Sequence, residues 1–236
     1  MSGHSKWSQI KHKKGVSDQK RGQLFSKISR LITVAAKDGD DPSANARLQD
    51  AIEQARVANV PKENIERAIK RAREKESAAL NEMIIQATGP QSIALIIKAI
   101  TDNKNRTINE IKGTLSENGF KVANEGSLDW LFEKKAVIAV SGQFNEDLEL
   151  GAIENGADDI KKEDELIIIT GKSGLLHQLQ NFLKSKGVHI ESAEIGYVPK
   201  DKITVSDDKV AAALDKVYES LDNHNDVDSV YTNTSN

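Results

Sequence analysis

Along the first third of the chain, apolar residues recur at helical spacing; beyond it the period changes to that of strands alternating with helices. Wound at about 100° per residue, Leu24, Phe25, Ile28, Leu31, Ile32, Ala35 and Ala36 fall within one arc of about 140°. Lys20, Lys27, Arg30 and Lys37 fall opposite, within an arc of about 100°. The pattern predicts a helix capped by Ser17, with one packing face and one basic stripe, ended by Gly39-Asp40-Asp41-Pro42. Leu48, Ala51, Ile52 and Ala55 predict a second helix. Pro61, suited to a first helical turn, opens a third with Ile65, Ala68, Ile69 and Ala72 inward. Three short amphipathic helices make a small bundle. Residues 1–14 show no apolar period and read as an extended arm, and residues 71–77 as a solvated helix end and linker.

From residue 82, runs rich in β-branched residues at 83–87 and 92–100 flank Gly89-Pro90, a turn signal. A capping box at Thr107-Ile108-Asn109-Glu110 predicts a helix that Asn118-Gly119 stops, and residues 127–132 predict a strand. This ββαβ set does not complete a two-layer sandwich. Next come strand 135–141, helix 145–155, strands 158–162 and 165–170, helix 173–186 and strand 188–197, the βαββαβ order of a ferredoxin-like unit. The tail offers a short strand at 203–205, a helix capped by Ser206 and a last strand at 227–231. A tail strand needs a sheet to join, and the incomplete one is the economical partner. The predicted class is α+β: a three-helix bundle followed by two α/β sandwich domains, the last ferredoxin-like and inserted into the middle one. The expected domains are 1–78, 79–132 with 204–236, and 133–203.

Aromatics are only 4% of the 236 residues, so the cores must be aliphatic. The chain has no cysteine, which excludes disulfides, thiolate metal sites, iron–sulfur clusters and thiol nucleophiles. No apolar run approaches a membrane span, and the first residues lack the apolar core of a secretory signal, so the expected location is the cytoplasm. The net charge of −3 hides an asymmetry. Residues 1–76 hold 17 Lys and Arg against 10 Asp and Glu, while the remainder holds 16 against 26. A basic interaction module is thus joined to an acidic remainder, with nine of the acids between Glu146 and Glu165.

Lysines neutralise phosphate and release counterions, so the arm carrying Lys6, Lys11, His12, Lys13 and Lys14 suits nucleic acid, with Trp7 able to stack on an exposed base. The stripe behind it, Lys20, Lys27, Arg30 and Lys37, reads either as a phosphate track or as the wet face of a helix. The second and third helices, joined by Ala58-Asn59-Val60-Pro61, have the order of a helix-turn-helix, but Glu63, Glu66 and Glu74 lie among the cations of its reader and would repel phosphate. The turn 101–107 can hold an anion with backbone N–H groups, Lys104 and Arg106; equally, Asp102, Asn103 and Thr107 can simply satisfy a turn and a cap. Thr170-Gly171-Lys172-Ser173 ends like a P-loop, yet Leu166 stands where its first glycine belongs. The five histidines show no metal spacing with carboxylates, and no catalytic triad or carboxylate dyad emerges. The expectation is therefore no metal, cofactor, small-molecule substrate or enzymatic activity.

Gly3-His-Ser-Lys-Trp-Ser-Gln-Ile-Lys-His-Lys-Lys-Gly15, Asp18-Gln-Lys-Arg-Gly22, Asn59-Val-Pro-Lys-Glu-Asn-Ile-Glu-Arg-Ala-Ile69, Thr101-Asp-Asn-Lys-Asn-Arg-Thr107, Gly126-Ser-Leu-Asp-Trp130 and Val230-Tyr-Thr-Asn233 closely resemble the YebC/PmpR family, in order and over the whole chain. The resemblance implies three domains, the third inserted in the second, and nucleic acid as partner. The family has carried the label of DNA-binding transcriptional regulator; it also includes a mitochondrial translational activator and members that act on ribosomes to ease synthesis of proline-rich stretches. One turn departs from the pattern: Gly-Pro-Gly-Gly is here Gly89-Pro90-Gln91-Ser92. The expected function is a non-enzymatic translation factor binding ribosomal RNA, with duplex DNA as the second candidate target and no membrane partner. The expected contacts are Lys6, Trp7, Lys11, His12, Lys13, Lys14, Lys20, Arg21, Lys27, Arg30, Lys104 and Arg106.

Overall fold

A computed structural model of the chain describes residues 18–74, 80–163 and 165–235. The expected arm and the Ser17 cap lie outside the described residues. Helices α1 (Asp18–Ala35), α2 (Ala46–Val57) and α3 (Lys62–Arg71) pack around Ile28, Ile32, Leu48, Ala51, Ile52, Ala55, Ile65 and Ala68, the positions that the helical period turns inward. Asn45 fixes the first corner: its Oδ1 accepts from Leu48 N at 3.0 Å to cap α2, and its Nδ2 donates to Ala35 O at the end of α1 at 2.8 Å. The second corner is a left-handed C-terminal turn. Asn59 takes φ 56° and Val60 N donates back to Ala55 O at 2.8 Å, which closes α2 before Pro61 caps α3. Pro61 was expected one position later, inside the first turn.

The middle sheet is built from β1 (Asn81–Thr88), β2 (Ala94–Thr101), β3 (Lys121–Val122) and β9 (Val227–Thr232), in the order β3-β1-β2-β9 with every pairing antiparallel. Strand β9 comes from the tail and lies along β2, with Leu95 opposite Thr232 and Ile97 opposite Val230. One face of the sheet is covered by α4 (Lys104–Glu117) and the tail helix α7 (Asp208–Asn223), which bury Ile111, Leu115, Leu214, Val217 and Leu221 against Ile93, Leu95 and Ile97. The tail is locked by Asn233, 3% exposed, whose amide donates to Ser92 O at 3.1 Å and accepts from Ala94 N at 2.8 Å. Strands β8 (Ile203–Thr204) and β10 (Thr234–Ser235) form a small parallel pair beside it.

Between β3 and the tail, the chain leaves this sheet to form the inserted unit. Strand β4 (Phe132–Ser141), α5 (Glu146–Glu154), β5 (Ala157–Glu163), β6 (Leu166–Lys172), α6 (Leu176–Ser185) and β7 (His189–Pro199) give the order β5-β6-β4-β7, the ferredoxin-like arrangement. Phe132 pairs with Pro199, so the insertion enters and leaves through neighbouring strands. At that seam Tyr197 and Tyr231 have ring centroids 5.4 Å apart, over Ile96, Leu128 and Phe132.

Three local expectations are corrected. Residues 127–132 are not a strand: a turn and a 3₁₀ segment at Asp129–Leu131 run into β4. The buried amide of Gln86 on β1 holds that turn, donating to Asp129 Oδ1 at 2.6 Å and accepting from Leu128 N at 2.8 Å. The apolar residues Leu128, Trp130 and Phe132 have the spacing of a strand face, but Trp130 turns outward, away from the side that buries Leu128. Helix α4 starts three residues before Thr107, because Asn103 caps it by accepting from Arg106 N at 3.1 Å. Asp207, rather than Ser206, caps α7.

The turn between β1 and β2 keeps a backbone suited to glycine although Gln91 and Ser92 occupy it. Gly89 has no room for a side chain, since a Cβ there would overlap the buried Phe120 ring. Gln91 and Ser92 adopt φ 53° and 61°, the left-handed region that the two missing glycines would enter freely. Each residue pays about 1–2 kcal/mol for that conformation, against about 0.5–1 kcal/mol of extra chain entropy for glycine. Gln91→Gly with Ser92→Gly is therefore expected to stabilise the chain by about 1–2 kcal/mol, read as a higher denaturation midpoint. A loss of stability would show that the Gln91 Oε1 contact with Ser206 N outweighs the backbone gain.

Candidate nucleic-acid interface

Lys20 and Arg21 stand exposed on the first turns of α1. Farther along, the basic stripe is engaged by other parts of the chain. Lys27 is 6% exposed and its Nζ donates to Asp222 O at the end of α7 at 2.6 Å. Arg30 Nη1 donates to Asn225 O at 3.0 Å and to Asp226 Oδ1 at 2.5 Å, and Lys37 Nζ donates to Leu80 O ahead of β1. Arg47 of α2 also pairs with Glu82 of β1. Lys27 and Arg30, expected on a phosphate track, are thus contacts that seat the helical bundle on the middle unit. A helical wheel separates a packing face from a polar face, but it cannot distinguish water from another unit's carbonyls.

The turn 101–107 does hold an anion, and that anion belongs to the chain. Asp226, at the head of β9, is 5% exposed. Thr101 and Thr107 Oγ1 donate to its Oδ2 at 3.0 and 2.7 Å, Arg106 Nη2 donates to the same oxygen at 2.8 Å, and Arg30 reaches Oδ1. Burial pushes this carboxyl up. The hydrogen bonds from Thr107, Arg106, Arg30 and Thr101 outweigh burial and hold it well below the usual carboxylate range. Arg106 also bonds Asp102 at 2.9 Å, so its guanidinium is shared between two carboxylates. Lys104 is exposed on the first turn of α4. Of this turn's two expected contacts, Arg106 is engaged within the chain and Lys104 faces solvent.

The helical bundle meets the insertion as well. Lys184 Nζ of α6 donates to Glu53 Oε1 at 2.6 Å, and His177 Nε2 lies 3.3 Å from Asp50 Oδ1. Burial pushes the Asp50 carboxyl up and His177 lowers it. On α3, Arg67, Lys70 and Arg71 have no ion-pair partner among the described residues, in contrast to Lys62, which is 3.5 Å from Glu66.

Folding gathers one histidine with carboxylates, which the sequence spacing did not anticipate: Glu110, His224 and Asp226 place ligand-type atoms within 4.8 Å of one another. Each is occupied by the protein. His224 Nδ1 accepts from Asp226 N at 3.1 Å, its Nε2 lies 3.0 Å from Glu110 Oε2, and Asp226 already accepts from two hydroxyls and two guanidinium groups. The set reads as a hydrogen-bonded chain that braces the start of β9. No described helix is long and apolar enough to cross a membrane.

The whole architecture recurs in known proteins. Residues 5–75 match the family model of the TACO1/YebC protein N-terminal domain, and residues 80–234 that of the TACO1/YebC second and third domain. A protein of Moorella thermoacetica named "probable transcriptional regulatory protein" is 43% identical over 99% of this chain and 95% of its own length. A protein of the same name from Halothermothrix orenii is 40% identical, over 99% and 94%. The crystal structure of a conserved hypothetical protein from Aquifex aeolicus superposes with a TM-score of 0.90 at 39% identity, covering 98% of this chain and 97% of that one. With both family models matched in order and relatives similar from end to end, the chain belongs to the TACO1/YebC family.

Proposed function

We propose that this protein is a non-enzymatic, nucleic-acid-binding regulator of gene expression. Its target in this reading is ribosomal RNA, where it eases synthesis of proline-rich stretches. The observation that carries the reading is the segregation of charge, with 17 cations against 10 acids in residues 1–76 and 16 against 26 afterwards. Only the helical end of such a molecule is attracted to a phosphate backbone. Lys6, Trp7, Lys11, His12, Lys13 and Lys14 supply the leading contact, Lys20 and Arg21 extend it onto α1, and Lys104 adds to it from α4. Lys27, Arg30 and Arg106 act by holding the units together. The division into 1–78, 79–132 with 204–236, and 133–203 belongs to the same proposal: the first module binds and the other two position it. The reading needs no metal, cofactor, small-molecule substrate or membrane, and it fits a cytoplasmic protein.

Duplex DNA is the second reading, favoured by the relatives' name of "probable transcriptional regulatory protein". Sequence-specific duplex binding needs side chains fixed on a rigid element at base edges. The engagement of Lys27 and Arg30 by other parts of the chain removes two cations of α1 from that task. Competition among random duplex DNA, a selected DNA pool and intact ribosomes at one salt concentration separates the readings. The expected result is salt-sensitive sedimentation with ribosomes and uniform, weak duplex binding. Enrichment of one palindromic duplex by about 10³-fold or more over random DNA, without ribosome association, would promote the transcriptional reading.

A further inference from the structure

Between α1 and α3 an open cleft of about 400 Å³ brings together Arg30, Arg67 and Arg71, with Asn64, Ser29 and the half-buried Phe25 among the other residues of its wall. Arg67 and Arg71 are one turn apart on α3, so two like charges lie side by side and repel. No carboxylate of the described residues lines the cleft, and neither arginine side chain has a hydrogen bond or ion pair among the described residues. Glu63 and Glu66, the acids that count against α3 as a duplex reader, are not among the residues of its wall. Arg30 is tied to Asp226 and Asn225 through Nη1 alone, and its side chain is 35% exposed. Ser29 Oγ donates to Phe25 O at 2.7 Å and so turns acceptor lone pairs to its other neighbours. The Asn64 amide has no partner among the described residues.

Guanidinium forks without a carboxylate partner, an aromatic edge, a side-chain amide and hydroxyl oxygens that can still accept are components with which proteins hold a single nucleic-acid strand. The volume lies at the small end of the roughly 300–1,000 Å³ range of ligand sites, room for one nucleotide and too small for a base pair. We propose that the cleft seats one unpaired nucleotide, its phosphodiester bound by Arg67 and Arg71, its base against Phe25 and the base edge within reach of Asn64. The proposal rests on the nucleic-acid reading above and gives the helical bundle a preference for single strands.

Fluorescence anisotropy of the full chain with short labelled oligouridylate, oligothymidylate and a blunt RNA duplex tests it. Arg67→Gln with Arg71→Gln keeps good helix formers at exposed positions, so the unfolding midpoint should hold. Affinity for the single strands should fall about 10-fold or more at 0.15 M salt, and the salt slope should drop by roughly 1.4 for two lost contacts. Lys62→Gln with Lys70→Gln, the same charge change outside the cleft, should cost about 2-fold. Arg67→Lys with Arg71→Lys should keep most of the slope yet lose several-fold in affinity, because lysine cannot fork around a phosphate. Loss of oligouridylate binding alone assigns the seat to RNA; loss with both single strands assigns it to either sugar. Equal losses from the arginine and lysine pairs, or an equal loss on the blunt duplex, would overturn the proposal. Arm-dependent RNA binding with no effect at Arg67 and Arg71 would defeat the cleft alone. A wild-type chain that binds none of the probes would defeat the nucleic-acid reading as well.

Discussion

Asp226→Asn is expected to lower unfolding stability by about 3 kcal/mol. One carboxylate, 5% exposed, satisfies two hydroxyls and two arginines drawn from three elements. Asparagine removes the charge and turns an N–H₂ toward groups that are themselves donors. Breaking a buried pair from one side costs about 3–5 kcal/mol. The lower end applies because the Arg30 and Arg106 side chains are 35% and 45% exposed and recover some hydration. For a chain of this size the melting midpoint should fall by about 6–12 °C. Asp102→Asn removes only the exposed partner of Arg106 and should cost under about 1 kcal/mol. The pH dependence has a definite sign. A carboxyl held below its unfolded value, near pH 4, contributes fully above that pH and loses its contribution as the pH falls further. The stability gap between wild type and Asp226→Asn should be flat from neutral pH down to about 5 and shrink below about 4. A gap that is constant through pH 3, or absent at pH 7, would contradict the arrangement.

Neutralising Lys11, Lys13 and Lys14 together should weaken RNA binding about 100-fold at 0.15 M salt. Each phosphate contact contributes roughly 0.7–0.9 to the slope of log K against log salt, so three remove about 2–2.7. Extrapolated from 1 M to 0.15 M salt, that slope is worth about two decades. Lys27→Gln should behave in the opposite way. Its ammonium is buried against Asp222 O, so the salt slope should hold while stability falls. Salt titrations of both variants, with thermal unfolding alongside, check the pair of outcomes. If Lys27→Gln flattens the slope and the arm variant does not, the track lies on α1 and not on the arm.

Much of the architecture can be read from local pattern. Leu48, Ala51, Ile52 and Ala55 are all buried where the helical period puts them, and the inserted unit has the expected order of strands and helices. Such features depend on neighbours three or four residues apart in a helix, or two apart in a strand, and every one of those residues is in the local sequence. The element edges that moved did so for the same reason in reverse. Asn103 and Asp207 displaced the expected caps by geometry that several adjacent polar residues could equally have supplied. The 127–132 segment copied strand alternation while a buried glutamine 42 residues away held it as a turn.

The candidate site divides along the same line. Charge and motif along the first 76 residues point to nucleic acid because net attraction to a polyanion depends on composition and position, not on fold. The roles of individual cations depend on what the chain brings to them. Lys27 and Arg30 meet carbonyls and a carboxylate 195 and 196 residues farther along, and Arg106 meets Asp226 across 120. Arg67 and Arg71, ordinary on a helical wheel, gain a shared cleft only when α3 is laid beside α1. Asp226 shows the limit most clearly. It is one acid among the 36 in the sequence, and nothing nearby in the chain marks it as the residue on which two units meet. Helical and strand periods come from backbone geometry that each short segment carries with it. Which polar face meets water and which meets another unit is decided by packing between segments far apart in the chain, so it appears only in the folded molecule.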